Sequence, residues 1–350
     1  MAPLNFDIHK SRYKTMIGVG GLGTGMFFAL NYNHTLGREE SRSGHFLDRK
    51  DYCKLHIISH YVKTLLGPQF RTIPVGRLGE DDAGRRIFEE MAEAGLEMDY
   101  VQVCPGEQTL FSLCFSYPDG SGGNLTTDDS ACDRVNPADV AGAQAVFTQF
   151  AGHGIVLSAP EVPLSAREKL LEMGTTYGFF RAASFISSEI EAAMKMGLLA
   201  KMDLLALNLD EARFAAGLPA EDQPADKTVE AVIHHLNKVN PNLSLSFTAG
   251  KHGSWSWDGK ELHFQPAFQV PVTGTAGAGD AHLAAMIAGL AAGLSLAKAQ
   301  ELGSLVAAHS VTSPHTIDKR IDRDALRSFA GQVQAVLSPD IQQLLSFPEM

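Results

Sequence analysis

The stretch Gly274-Thr275-Ala276-Gly277-Ala278-Gly279-Asp280 follows an extended-looking run, Phe264 to Val272, and leads into an apolar, Ala-rich segment, Ala281 to Ala292, that predicts a helix. Its closely spaced glycines let the backbone turn tightly and approach a ligand without interference from Cβ. The N–H groups of Gly277, Ala278 and Gly279 would then face outward at a helix start, an anion hole suited to charge developing on a transferring phosphoryl group. Asp280 falls in the first helical turn. A carboxylate there can serve as a cap or a dipole partner. The functional reading, which we prefer, is that Asp280 accepts the proton of an attacking hydroxyl while the adjacent amides hold the γ-phosphate.

Outward from this stretch, strand-like runs at Gly154 to Ser158, Gly178 to Phe180, Leu204 to Leu207 and Leu243 to Thr248 alternate with helical ones at Ser165 to Met173, Ser188 to Leu199 and Lys227 to Val239. Such alternation predicts an α/β fold with a mainly parallel central sheet and helices on both faces. Ligands of such sheets bind beyond the carboxyl ends of the strands. Nearer the N-terminus, Met16 to Val19 reads as a short buried strand running into Gly20, Gly21, Gly23 and Gly25. Ile73 to Val75 reads as a strand, Gly76 to Gly84 as a loop, and Arg85 to Ala94 as a helix ended by Gly95. Thr109 to Tyr117 and Asn124 to Thr127, joined by the turn residues Pro118 to Gly123, predict a β-hairpin. With no internal repeat and no long linker, the expectation is one domain over residues 1–350 carrying a small β lid from about 24–46 and 106–130.

The chain has 350 residues, 45% of them hydrophobic, which suffices for a substantial core. A formal charge of -11, with no concentrated Lys/Arg run, argues against nucleic acid or an anionic membrane as partner. Phosphates would have to be held locally, by glycine loops and helix N-termini. Cys53, Cys104, Cys114 and Cys132 show no Cys-x-x-Cys pair and read as reduced packing residues of a cytoplasmic protein. Met1 to Thr15 lacks the apolar core of a signal peptide, and no later stretch predicts a membrane span.

Thr275, Gly277, Ala278, Gly279 and Asp280 resemble the late signature Asp-Thr-x-Gly-Ala-Gly-Asp of the ribokinase family, the PfkB carbohydrate kinases. The resemblance implies a ribokinase-like fold and ATP-dependent phosphorylation of a small-molecule hydroxyl, with Asp280 as catalytic base. Gly274 stands where the family has its first Asp, which often contributes to a monovalent-cation site; this departure puts potassium activation in doubt. Asn208-Leu209-Asp210-Glu211 looks like the family's Asn-x-x-Glu motif, which would hold Mg²⁺ through water by Asn208 and Glu211. As a bare tetrapeptide it would equally arise from helix capping. Thr248-Ala249-Gly250-Lys251-His252-Gly253 is similar to the nucleotide loop, placing Thr248, Gly250 and Gly253 along the ATP phosphates and ribose. The helix expected at Leu296 to Ser310 would border the adenine, where Ala307 and Ala308 leave room for a flat ring. Val75 to Gly84 resembles the family's strand-loop-helix. The family's lids often pair between subunits, which implies a homodimer.

The substrate side departs from the pattern. Gly23 and Gly25 stand where the family places polar ligands after its first strand, and counting back from Leu66-Gly67 reaches Cys53-Lys54 where a Gly-Gly motif is expected. His56, Ser59 and His60 follow on the same helix, and the histidines read as surface residues. Arg181 to Ile186 looks more like the corresponding region of adenosine kinases, so a sugar, a polyol or a nucleoside all remain open as acceptor, with a carbohydrate favoured. Two rival readings come from other classes. Gly18, Gly20 and Gly23 form a Gly-x-Gly-x-x-Gly, with Glu39 and Glu40 downstream, as in an NAD-dependent oxidoreductase. The altered substrate segments would also suit a non-catalytic ligand sensor.

Overall fold

The computed structural model describes residues 1–119, 122–218 and 224–347. In chain order, β1 (Thr15–Val19) is followed by β2 (Gly23–Leu30), β3 (Gly44–Tyr52) and α1 (Lys54–Leu66). Then come β4 (Arg71–Gly79), α2 (Asp82–Glu93), β5 (Val101–Cys104), β6 (Leu110–Ser116) and β7 (Gly122–Thr126). After the short α3 (Pro137–Gly142) and α4 (Gln144–Gln149), strands and helices alternate as β8 (Gly154–Ser158), α5 (Leu164–Thr176), β9 (Phe180–Ser184), α6 (Ser187–Lys195), β10 (Leu204–Asn208), α7 (Leu209–Ala215), α8 (Ala225–Leu236) and β11 (Ser244–Thr248). The remaining elements are β12 (Ser254–Trp257), β13 (Leu262–Gln265), α9 (Ala278–Ala291), α10 (Leu296–Ser310), α11 (Arg323–Gln332) and α12 (Pro339–Leu345).

The central sheet has the order β13-β12-β11-β10-β9-β8-β1-β4-β5. From β5 to β11 neighbouring strands run parallel, and β12 and β13 add an antiparallel edge. The inner strands β1 and β8 are buried along their whole length, as strands covered on both faces must be. Gly18 and Leu157 are register neighbours, and a Cβ on Gly18 would lie 2.5 Å from Leu55 of α1. Val156, the next residue along β8, lies instead against Gly174 of α5. Side chains alternate along a strand, so α1 and α5 cover opposite faces. This is the α/β layering, helices on both faces of a mainly parallel sheet, that the βα alternation predicts.

A second sheet has the order β3-β2-β6-β7 and contains the segments expected to form a lid. The hairpin reading holds, since β6 and β7 pair antiparallel; of the turn residues that join them, Gly120 and Ser121 lie outside the described residues. The lid strand β3 reaches Tyr52, beyond the expected limit near residue 46.

Several local expectations need correcting. Gly76 to Gly79 is strand, not loop, because it pairs with Val101 to Cys104 of β5. The strand expected at Gly178 to Phe180 begins at Phe180, since Gly178 adopts φ 69° in the turn that ends α5. The extended run Phe264 to Val272 is strand only to Gln265, where pairing with β12 ends. His56, Ser59 and His60 are buried, not on the surface. Every residue of α1 from Leu55 to Leu66 is buried, because the helix lies between the sheet and α9. Finally, Gly20 leads into lid strand β2 and not into a helix, so the Gly-x-Gly-x-x-Gly lacks the helix N-terminus that a dinucleotide site requires.

Candidate active site

Gly277 is the residue before α9 and adopts φ 79°, a left-handed conformation that disfavours any side chain. A Cβ there would also lie 2.8 Å from the carbonyl oxygen of Thr316, so the position is closed twice over. This bend starts α9 at Ala278 and puts Asp280 in its first turn, where the Ala278 N–H donates to the Thr275 carbonyl at 3.2 Å. The cleft above has a volume of about 510 Å³. Thr275, Gly277, Ala278, Gly279 and Asp280 all line it. So do Asn208 and Glu211 from the β10–α7 junction, Thr248, Gly250 and Gly253 after β11, and Ala307 of α10. The fold therefore brings together every residue that the sequence assigned to the phosphate and nucleotide side. Their common origin is the carboxyl edge of the parallel sheet, where β10 ends at Asn208 and β11 at Thr248.

Asn208 and Glu211 form a capping box. Asn208 Oδ1 accepts from the Glu211 N–H at 2.8 Å, and Glu211 Oε2 accepts from the Asn208 N–H at 2.9 Å. The structural alternative for this tetrapeptide is thus realised, and it leaves Glu211 Oε1 available in the cleft, 3.7 Å from Lys54 Nζ. Among the described residues no three His, Cys, Asp or Glu side chains are grouped as a metal cage. A donor set of one free carboxylate oxygen beside a phosphate-sized cleft fits a magnesium ion that keeps its waters and arrives with its nucleotide.

Three charged residues of the site escaped the sequence reading. Lys54, the first residue of α1, lines the cleft at the place where the expected Gly-Gly motif is missing. Burial works to lower its amine, but the carboxylates of Asp280, Glu211, Glu161 and Glu189 outweigh that and raise it, keeping the ammonium charged. The other two explain the glycines after β1. A Cβ on Gly25 would lie 2.5 Å from Asp51 Oδ2, and one on Gly21 would lie 2.5 Å from Glu161 Oε2. Carboxylates from β3 and from the loop after β8 fill the space that side chains on residues 25 and 21 would otherwise take. No local pattern marks them, because the approach is tertiary.

The electrostatics are those of a crowded acid cluster. Burial pushes Asp280 up to about 6; Lys54 pulls it down, while Glu211 and Asp51 push it further up. Burial also raises Glu161 to about 7, against the pull of Lys54 and Cys53. Asp51 is raised by burial despite hydrogen bonds from Cys114, Tyr52 and Thr316. Glu161 holds φ 73°, a costly conformation for a side-chain-bearing residue. Its N–H faces Glu189 Oε1 at 3.4 Å, and Glu189 is itself paired with the fully buried Arg167 at 2.8 Å. Arg167 further donates to Ser158 Oγ and to the carbonyls of Ser158 and Ser184, tying the ends of β8 and β9 beneath the cluster.

Comparison with known proteins agrees with the fold. A family model described as pfkB family carbohydrate kinase covers residues 62–323. Fructoselysine 6-kinase of Shigella flexneri is 25% identical over 238 residues, 67% of this chain and 80% of that protein. Among solved structures, ribokinase from Cryptococcus neoformans in complex with ADP superposes with a TM-score of 0.74 at 20% identity, covering 90% of this chain and 99% of that one. Arabidopsis thaliana ribokinase complexed with ribose and ATP gives 0.69 at 19% identity, covering 96% and 99%.

Proposed function

Because this chain belongs to the pfkB family of carbohydrate kinases, and so is an ATP-dependent phosphotransferase, we propose that it phosphorylates a hydroxyl of a small carbohydrate with Asp280 as the general base. The observation that carries the reading is the placement of Asp280 one residue from the amides at the start of α9, in the cleft shared with Lys54. The acceptor hydroxyl oxygen attacks the γ-phosphorus, the bond from that phosphorus to the β,γ-bridging oxygen breaks, and ADP departs with the bridging oxygen. The hydroxyl proton passes to Asp280. The N–H groups of Gly277 and Gly279 hold the equatorial phosphoryl oxygens as charge shifts between them, and that of Ala278, which donates to the Thr275 carbonyl at 3.2 Å, joins them as that bond opens. Asn208 and Glu211 would hold the water shell of Mg²⁺, which when bound neutralises phosphate charge. Thr248, Gly250, Gly253 and Thr275 lie along the phosphates and ribose, and Ala307 borders the base.

Lys54 lines the cleft beside Asp280, with Asp51 and Glu161 close enough to act on or be acted on by that carboxylate; charged groups there suit a polyhydroxylated molecule better than an apolar one. A neutral Glu161 or Asp280 can donate to a sugar oxygen, and the ionised form can accept from a sugar hydroxyl. The lid closes over this end and keeps water from the γ-phosphate. We place the enzyme in the cytoplasm, as a homodimer through the lids. Support for the dimer comes from the cross-strand row Met26, Leu113 and Leu125, whose outer members are 49% and 59% exposed. Among the described residues no helix is long and apolar enough to cross a membrane.

The test is ADP release, coupled to a dehydrogenase readout, over a panel of sugars, sugar amines, polyols and nucleosides. Turnover with a carbohydrate supports the reading. Turnover with nucleosides alone replaces the acceptor class, and ATP binding without ADP release across the panel overturns the enzymatic reading in favour of a sensor.

A further inference from the structure

Gly274 stands where the family's signature has an Asp that often contributes to a monovalent-cation site, and its surroundings decide whether such an ion fits here. A Cβ on Gly274 would lie 3.4 Å from the carbonyl oxygen of Ser313, 3.7 Å from that of Pro314 and 3.8 Å from Nη1 of Arg49. Carbonyl oxygens are ordinary ligands for a potassium ion. The carboxylate, however, is missing, and the third neighbour is itself a cation. A guanidinium is permanently charged. A second cation a few ångström away, with no carboxylate to offset the two charges, is repelled. The residues present do not fit the ion.

The backbone beside Arg49 is tied to the same loop. The Lys50 N–H donates to His315 Nδ1 at 3.0 Å, the Thr316 N–H donates to the Lys50 carbonyl at 3.1 Å, and the Tyr52 N–H donates to Thr316 Oγ1 at 3.1 Å. On the neighbouring strand β2, the centre of the Phe27 ring lies 5.9 Å from Cζ of Arg49. The side chain is half-buried, and among the described residues no carboxylate lies within ion-pair distance of it. Its charge is therefore not cancelled by a salt bridge. The loop it meets is bound in turn to the glycine run. The N–H groups of Thr273 and Gly274 both donate to the Val311 carbonyl, at 2.8 and 3.2 Å, and the Thr316 carbonyl oxygen packs over Gly277.

We infer that this chain has no monovalent-cation site and that Arg49, carried in by β3 of the small sheet, is a positioning residue that supplies the positive charge beside the run Gly274 to Asp280 instead. The inference rests on the kinase reading above. The run must hold phosphate in a cleft that also contains the carboxylates of Asp280 and Glu211, and a fixed cation at its start offsets part of that repulsion. Gly274 and Arg49 are two halves of one arrangement, since a carboxylate at 274 would pair with the guanidinium and cancel its charge. A charge fixed to the chain differs from a dissolved ion in one measurable respect. Nucleotide affinity no longer depends on which monovalent cation the buffer holds.

The experiment is calorimetric titration of the full chain with the β,γ-imido analogue of ATP and Mg²⁺, in tetramethylammonium chloride and in potassium chloride at one ionic strength, for wild type, Arg49→Met and Arg49→Lys. Wild type should bind the analogue equally in the two salts, within about twofold, because no site exists for potassium to fill. Arg49→Met keeps the stem over Phe27 and should bind at least about fivefold more weakly, as the loss of one charge near the phosphates gives. Arg49→Lys keeps the charge and should stay within about twofold of wild type. A wild-type affinity severalfold higher in potassium overturns the inference, since it requires a cation site. So does an Arg49→Met variant that matches wild type, or an Arg49→Lys variant as weak as Arg49→Met. Each of these leaves the kinase reading standing. Absence of binding to wild type in both salts overturns the kinase reading and this inference with it. The wild-type comparison depends on no variant folding.

Discussion

Asp280 and Lys54 act as a unit. The ammonium is what keeps the Asp280 carboxyl near 6 instead of higher, since burial, Glu211 and Asp51 all push the other way. A base must be ionised to accept a proton, so kcat should fall as pH drops through about 6. Replacing Lys54 with Met removes the only group among those acting on Asp280 that lowers it, and the acid limb of the pH–kcat profile should move up by about one pH unit. A profile that stays in place would show that Lys54 does not tune the base. The residue scale is also where the sequence was most and least informative. The run Gly274 to Asp280 could be read alone, because its chemistry is local: one left-handed glycine, three amides and a carboxylate in consecutive positions. Asp51 and Glu161 could not, because only the folded chain brings them over Gly25 and Gly21. Lys54 lay at the position that counting back from Leu66-Gly67 reaches, yet nothing local distinguished it from a surface lysine.

The β3 strand of the small sheet is fastened through Thr316 to the loop before α9. Thr316 Oγ1 accepts from the Tyr52 N–H at 3.1 Å, the Thr316 N–H donates to the Lys50 carbonyl at 3.1 Å, and the Thr316 backbone lies over Gly277. The root of β3, with Asp51, is thereby held against the anion hole. Thr316→Val keeps the shape and loses the Tyr52 bond, a change of about 1 kcal/mol. The expected result is a several-fold rise in ADP release without acceptor, relative to acceptor phosphorylation, because a loosened lid admits water. An unchanged ratio would remove the lid from water exclusion. On the lid's outer face, Phe28, Phe46 and Phe115 sit in one cross-strand row beside Met26, Leu113 and Leu125. Met26→Glu should lower the mass found by light scattering from dimer to monomer; a wild-type monomer would refute the lid-paired dimer. At this scale the strand and helix alternation was legible, while the ends of elements were not. Gly76 to Gly79 looked like a loop because glycine and charge dominate it, and only pairing with β5 makes it strand.

Taken whole, the molecule buries histidines and carboxylates whose effects on stability oppose one another. His60 and His282 are held neutral by burial, with folded values of about 4 against an ordinary 6.5. The unfolded chain takes up their protons first, so their contribution is present above pH 6.5 and is lost as pH falls toward 4. Asp280 has the reverse sign. Its folded value, raised from 3.8 to about 6, means that the native state binds the proton more tightly, so ionisation above pH 6 costs stability. Asp280→Asn should therefore be more stable than wild type at pH 7, by up to about 3 kcal/mol, with the advantage lost as pH falls through 6 toward 4. Urea melts at the two pH values measure it, and a destabilised variant at pH 7 would contradict the acid-cluster account. Burial of His56 and His60 was not legible either. Histidine periodicity resembles a polar face, and only the packing of α1 between the sheet and α9 shows that this helix has almost no outside.

The same substitution gives the most direct test of the central claim. Asp280→Asn keeps the shape of the side chain and the amides before it, and removes the proton acceptor. With a carbohydrate acceptor from the panel, the account predicts ADP affinity within about threefold of wild type and phosphoryl transfer slowed by about two to four orders of magnitude, the usual contribution of a positioned base. Transfer at the wild-type rate would contradict it.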